Sequence, residues 1–109
     1  MPNYFKDDLV LVKYPFTDAS ASKVRPAIVA GTADESPDLI VIPLTSRTWN
    51  LLPGEFVLAN WSASGLHVPT AVKRGLYCVE HTLVLKQVGK LQPEDAIRLK
   101  DSLRLWLGL

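Results

Sequence analysis

The chain has a single cysteine and two histidines in 109 residues. A lone Cys78 excludes an intramolecular disulfide and any zinc site built on paired thiolates, and it suits a reducing compartment. His67 and His81 stand apart, outside HExxH or any other metal-ligand spacing, so no metal or cofactor is expected. The sequence also lacks a phosphate-cradling glycine loop, a dinucleotide fingerprint and a nucleophile elbow. No apolar run approaches the roughly 20 residues that a membrane-spanning helix needs. The opening stretch Met1-Pro2-Asn3-Tyr4-Phe5-Lys6-Asp7-Asp8 is polar and acidic, unlike a signal peptide, so a cytoplasmic, membrane-free protein is expected. Formal net charge is only +1. Bulk charge therefore gives no footprint of a nucleic-acid binder, and any such site has to be a local cluster of Lys and Arg.

What is present is ordinary for a globular domain: 48% apolar and 21% charged residues. The length suits one domain spanning residues 1–109 with a single modest core. Leu9-Val10-Leu11-Val12, Ala27 to Ala30 and Leu39 to Leu44 are apolar, β-rich runs, and the last two flank a turn-rich connection that reads as a hairpin. Glu55 to Ala59, Pro69 to Lys73 and Thr82 to Lys86 are read as further strands. The ending differs. Pro93-Glu94-Asp95 suits a helix first turn, Ala96, Leu99, Leu103 and Trp106 form one stripe at intervals of three and four, and Gly108 is a suitable stop. The expected fold class is mainly β with a C-terminal α-helix. Cys78 carries no local signature of a nucleophile and is assigned to core packing.

Arg25-Pro26 opens one apolar run, and Thr45-Ser46-Arg47 closes the next. A strand that starts with a fixed cation, beside a strand that ends in hydroxyls, can hold a phosphate between their tips. Each residue also has an ordinary structural reading. Arg25 could pair with Asp8 or Asp18, and Thr45 and Ser46 could cap a strand end.

The ordered set Asp8-Leu9-Val10-Leu11-Val12, Pro15-Phe16-Thr17-Asp18, Ser22-Lys23-Val24-Arg25-Pro26-Ala27-Ile28-Val29 and Pro43-Leu44-Thr45-Ser46 resembles the PemK/MazF toxin family. Trp61, Gly65-Leu66, Val88-Gly89-Lys90-Leu91 and Pro93-Glu94-Asp95 extend the resemblance to the end of the chain. It implies a small SH3-like barrel of the CcdB/PemK type with an appended helix, forming a homodimer. It further implies a metal-independent endoribonuclease, an mRNA interferase, that cuts single-stranded RNA and is neutralised by a cognate antitoxin protein. The family keeps its catalytic Arg and Thr or Ser at the positions of Arg25, Thr45 and Ser46. Metal-free cleavage uses the ribose 2′-hydroxyl as nucleophile and needs a base, an acid and cationic donors for the phosphorane charge. Arg25 suits the last role, Thr45 can donate to the same oxygens, and Ser46 can assist. Lys23, Arg47, Lys73 and Arg74, with Arg25, would form the RNA-binding funnel, and Phe16 or Trp49 would stack an unpaired base. Trp61 and Trp106 are assigned to the core or the dimer contact.

The proton carriers are where the sequence departs from the family. Some members keep an acid shortly before the Arg-Pro, where this chain has Ser20-Ala21-Ser22-Lys23. Others carry a basic residue and an Asp two positions apart, where this chain has Lys73 and Gly75. Gly75 cannot move a proton, which bears on turnover more than on RNA binding. His67, Glu80 and His81 are the conceivable substitutes. Two alternatives follow: a catalytically impaired member that binds RNA or antitoxin without cleavage, and a CcdB-like gyrase poison. The Arg-Pro and Thr-Ser pairing argues against the second.

Overall fold

The computed structural model describes residues 4–14, 23–32 and 37–109. The three apolar runs become β1 (Asp8–Tyr14), β2 (Lys23–Thr32) and β3 (Leu39–Thr45). They pair antiparallel, with Val10 opposite Ala27 and Ile28 opposite Ile42. Both faces of these strands are covered. Leu9, Ile28, Ile42 and Leu44 point into one cluster, and Val10, Val12, Ala27, Val29 and Val41 into another. Side chains alternate across a strand, so two buried faces give the continuous apolar runs seen in the sequence.

The next two strands are shorter than their sequence runs. β4 (Phe56–Val57) and β5 (Ala71–Val72) pair with each other, and β5 also lies on the end of β3. β6 (Tyr77–Val79), which the sequence did not announce, pairs with the start of β3. β7 (Val84–Lys90) runs along the outer edge of β1, and Thr82 and Leu83, expected to begin it, belong instead to a 3-10 turn, His81–Leu83. The strand order is β4-β5-β3-β2-β1-β7, with β6 beside β3.

Among the described residues no ladder joins β6 to β7, so the sheet is open. Val79 and Val84, on either side of the 3-10 turn, nevertheless share one cluster with Val10, Val12 and Val29. The five strands β7-β1-β2-β3-β6 therefore curl around that cluster, and the last seam of this SH3-like arrangement is a turn instead of a hydrogen-bonded pair. Register shifts in the β1–β7 and β2–β3 pairs allow the bend.

Helix α1 (Pro93–Leu107) covers the other face. Leu99 is buried with Leu9, Ile28 and Leu58, while Ala96, Leu103 and Trp106 pack against the same cluster, as their spacing implies. Trp61 joins them there. Gln92 makes no side-chain cap, and Gly108 ends the helix at φ 71°. Anchorage comes from side chains on the buried stripe. Asp95, at 0% exposure, accepts N–H bonds from Ala59 and Asn60 at 2.9 Å each. Ser102 Oγ donates to Gly54 O at 2.6 Å and Trp106 Nε1 to Pro53 O at 2.8 Å. The helix is thus stitched to the segment that leads into and out of β4.

One turn matters for the site. Ser64 N–H donates to Asn60 O and Leu66 N–H to Trp61 O, at 3.0 and 3.1 Å. Gly65, at φ 100°, lies against Gly89 of β7, where an added Cβ would meet Ser64 O. That backbone-to-backbone approach fixes the chain just before His67. Cys78 corrects its assignment: on β6, a short outer strand, it is exposed, not packed in the core. Among the described residues no helix is long and apolar enough to cross a membrane.

Candidate functional site

The β2–β3 ladder ends at Ala27 opposite Pro43. Pro26 has no N–H to continue it, and the end of β3 turns instead to β5, with Leu44 opposite Val72 and Thr45 opposite Ala71. The tips of β2 and β3 separate as a result. The space between them is a cleft of about 680 Å³ that reaches from Arg25 and Thr45 to His67, Lys73 and Tyr77.

Arg25 is the third residue of β2 and is exposed. Its Nη1 donates to Val24 O at 3.2 Å, and among the described residues no carboxylate pairs with it. Asp8, one of its two possible partners, is buried and accepts the Phe5 N–H at 2.8 Å. Asp18, the other, lies outside the described residues. Thr45 Oγ1 accepts the Arg47 N–H at 3.1 Å, so the strand-end cap read from sequence does form. Accepting that bond leaves the hydroxyl proton able to donate into the cleft. Ser46 follows on the same rim.

Lys23 and Lys73 also line the cleft. Lys73 is held there because its N–H donates to Pro43 O at 2.9 Å. The next residue is clamped as well. Glu55 accepts N–H bonds from Arg74 at 2.8 Å and from Leu52 at 2.7 Å. Burial pushes the Glu55 carboxyl up, but those two bonds and the nearby Arg47 and Arg74 guanidinium groups outweigh it and hold the group below the usual carboxylate range. The clamp therefore contributes stability above the ordinary carboxylate range and loses it as pH falls through the lowered folded value.

Not every expected cation reaches the cleft. Arg47 donates its Nη1 to Trp49 O at 2.6 Å and Asn50 O at 3.0 Å, which folds the turn after Ser46. Neither Arg47 nor Arg74 lines the cleft, and Trp49 stands outside it, 62% exposed. Phe16 lies outside the described residues. Of the three substitute proton carriers, His67 lines the cleft, whereas Glu80 and His81 do not.

Thr70 and Tyr77 complete the lining and were not singled out in the sequence. The signal for Tyr77 is Gly75. A Cβ at Gly75 would approach the Tyr77 ring to 2.8 Å and Pro43 to 3.3 Å, so this ring position and a side chain at residue 75 exclude each other. Among the described residues no group of three or more His, Cys, Asp or Glu is placed to hold a metal. Three cations and adjacent hydroxyls in an open cleft are groups whose chemistry suits a phosphodiester.

No family model matches the chain, and no curated protein matches it in sequence. Solved structures do share its fold. An endoribonuclease from a mycobacterial species, in complex with its cognate antitoxin, superposes with a TM-score of 0.79 over 98% of this chain and 97% of its own, at 13% identity. The Mycobacterium tuberculosis toxin MazF-mt6 gives 0.74 over 94% and 97%, at 17% identity. MazF from Deinococcus radiodurans gives 0.77 over the full length of both chains, at 19% identity. The fold is that of the MazF toxins.

Proposed function

We propose that this protein is a metal-independent endoribonuclease that cleaves single-stranded RNA as the toxin of a toxin–antitoxin pair. The observation that carries the reading is the joint placement of Arg25 and Thr45 on one open cleft, within a fold shared with an endoribonuclease solved in complex with its antitoxin. In the cleavage step the ribose 2′-oxygen bonds to phosphorus, the bond to the 5′-oxygen breaks, and a 2′,3′-cyclic phosphate and a 5′-hydroxyl remain. Arg25 stabilises the charge that develops on the phosphoryl oxygens, Thr45 donates to the same oxygens, and Ser46 assists. Lys23 and Lys73 hold the flanking backbone. Arg74 would meet the RNA outside the cleft, and Phe16 would stack an unpaired base.

The test is cleavage of a long single-stranded RNA by the purified protein in EDTA. Discrete fragments ending in 2′,3′-cyclic phosphate are expected. Thr45→Ala should slow cleavage roughly 100-fold, the usual cost of removing one donor to a developing oxyanion, while Thr45→Ser retains most of it. Intact RNA from folded protein would end the reading. Gly75 supports a second one, RNA or antitoxin binding without cleavage, and undiminished RNA affinity with no fragments is its signature. The gyrase-poison alternative predicts loss of DNA supercoiling, and none is expected.

The resemblance also supports a homodimer and a cognate antitoxin partner. Sedimentation at micromolar concentration should give twice the 12.1 kDa chain mass. A monomer mass would remove the dimer from the proposal.

A further inference from the structure

We propose that His67 is the proton carrier of this cleft, a role that rests on the ribonuclease reading above. Arg25 and Thr45 can stabilise charge, but neither supplies a base for the 2′-hydroxyl. Among the described residues the cleft contains no carboxylate, and its charged groups are Lys23, Arg25 and Lys73. Of the side-chain types present, imidazole is the one that gains and loses a proton in the physiological range.

The backbone on either side of His67 is also held in place, although His67 itself is exposed. Just before it, Leu66 packs against the core and donates its N–H to Trp61 O at 3.1 Å, and the Gly65–Gly89 approach locks the turn. After it, Thr70 Oγ1 donates to Val68 O at 2.8 Å, and Thr70 O accepts the Leu58 N–H at 2.9 Å. His67 is thus carried on a short segment tied to the body at both ends, and it lines the same cleft as Arg25 and Thr45. Such anchoring gives a catalytic group a defined geometry.

In the step assigned to it, neutral His67 takes the 2′-hydroxyl proton as the 2′-oxygen bonds to phosphorus. The bond between phosphorus and the 5′-oxygen breaks, and the leaving oxygen takes a proton from water. The hydroxide left behind collects the imidazolium proton, which returns His67 to its starting state.

The experiment compares the wild-type protein, His67→Ala and His67→Gln on a short single-stranded RNA in EDTA. Affinity is measured separately on the same RNA carrying a 2′-deoxy sugar at the cleaved position. Both variants are expected to lose roughly 100-fold or more in kcat, with unchanged affinity and melting temperature, and added imidazole should restore part of the rate to His67→Ala. Wild-type cleavage matched within threefold by His67→Ala would overturn the assignment and leave the ribonuclease reading standing. A loss explained wholly by weaker RNA binding and not rescued by imidazole would also overturn it, since His67 would then be a binding residue. Intact RNA from the wild type would remove the ribonuclease reading, and this inference with it.

Discussion

Arg25→Ala is expected to lower the rate of RNA cleavage by about 1000-fold while leaving the melting temperature within a degree or two of wild type. The rate loss follows from position. Arg25 reaches the cleft shared with Thr45, and a preorganised donor to a developing oxyanion contributes about 100- to 1000-fold to kcat. A guanidinium adds full charge and a second N–H to that donor, so the upper end of the range applies. The preserved stability follows from what Arg25 does not do. Among the described residues it is exposed, bonds only to the neighbouring Val24 O, and has no carboxylate partner. Exposed substitutions of that kind fall within about 0.5 kcal/mol of wild type. Arg25→Lys is expected to recover only a small part of the rate, because ammonium keeps the charge and loses the planar fork. Single-turnover cleavage together with thermal unfolding decides the matter. Retained cleavage would remove Arg25 from the catalytic step, and a large fall in melting temperature would show that its role is structural.

Asp95→Ala is expected to be the most damaging single change to stability outside the apolar core, at about 3 kcal/mol. The carboxylate is fully buried and accepts the N–H groups of Ala59 and Asn60, with the Arg98 guanidinium 3.7 Å away. Removing it strands two part-buried backbone donors where α1 meets the segment after β4, and a donor left unsatisfied in a buried setting costs about 1–3 kcal/mol. The change also leaves a void at a fully buried position, which adds to the loss. Asp95→Asn retains one accepting oxygen and should lose less than half as much. Urea unfolding of the three proteins separates these outcomes. A midpoint for Asp95→Ala within error of wild type would show that water replaces the carboxylate at no cost.

The same residue shows how far a sequence pattern carries. The pattern Pro93-Glu94-Asp95 marks a helix start, and the helix does start there. Nothing in the pattern separates Glu94, which is exposed, from Asp95, which is buried and bonded across the fold to Ala59 and Asn60. Arg47 shows the converse. Its type and its neighbours Thr45 and Ser46 point to RNA, yet its guanidinium is occupied by two carbonyls of its own turn. His67 and Tyr77 join the cleft because β3 pairs with β6 along its start and, after leaving β2 at Pro43, with β5 at its end, an arrangement no local window contains.

Local pattern was therefore enough for the three long strands, the terminal helix with its buried stripe, and the cation and hydroxyls at the strand tips. Those features depend on neighbours two to four residues apart, a range that periodicity reports directly. The open seam between β6 and β7, the diversion of Arg47 and the grouping of His67, Lys73 and Tyr77 with Arg25 were decided by tertiary structure alone. They depend on which strand edges meet after long loops close, and on backbone contacts such as Gly65 against Gly89, where the deciding atoms lie far apart in the chain.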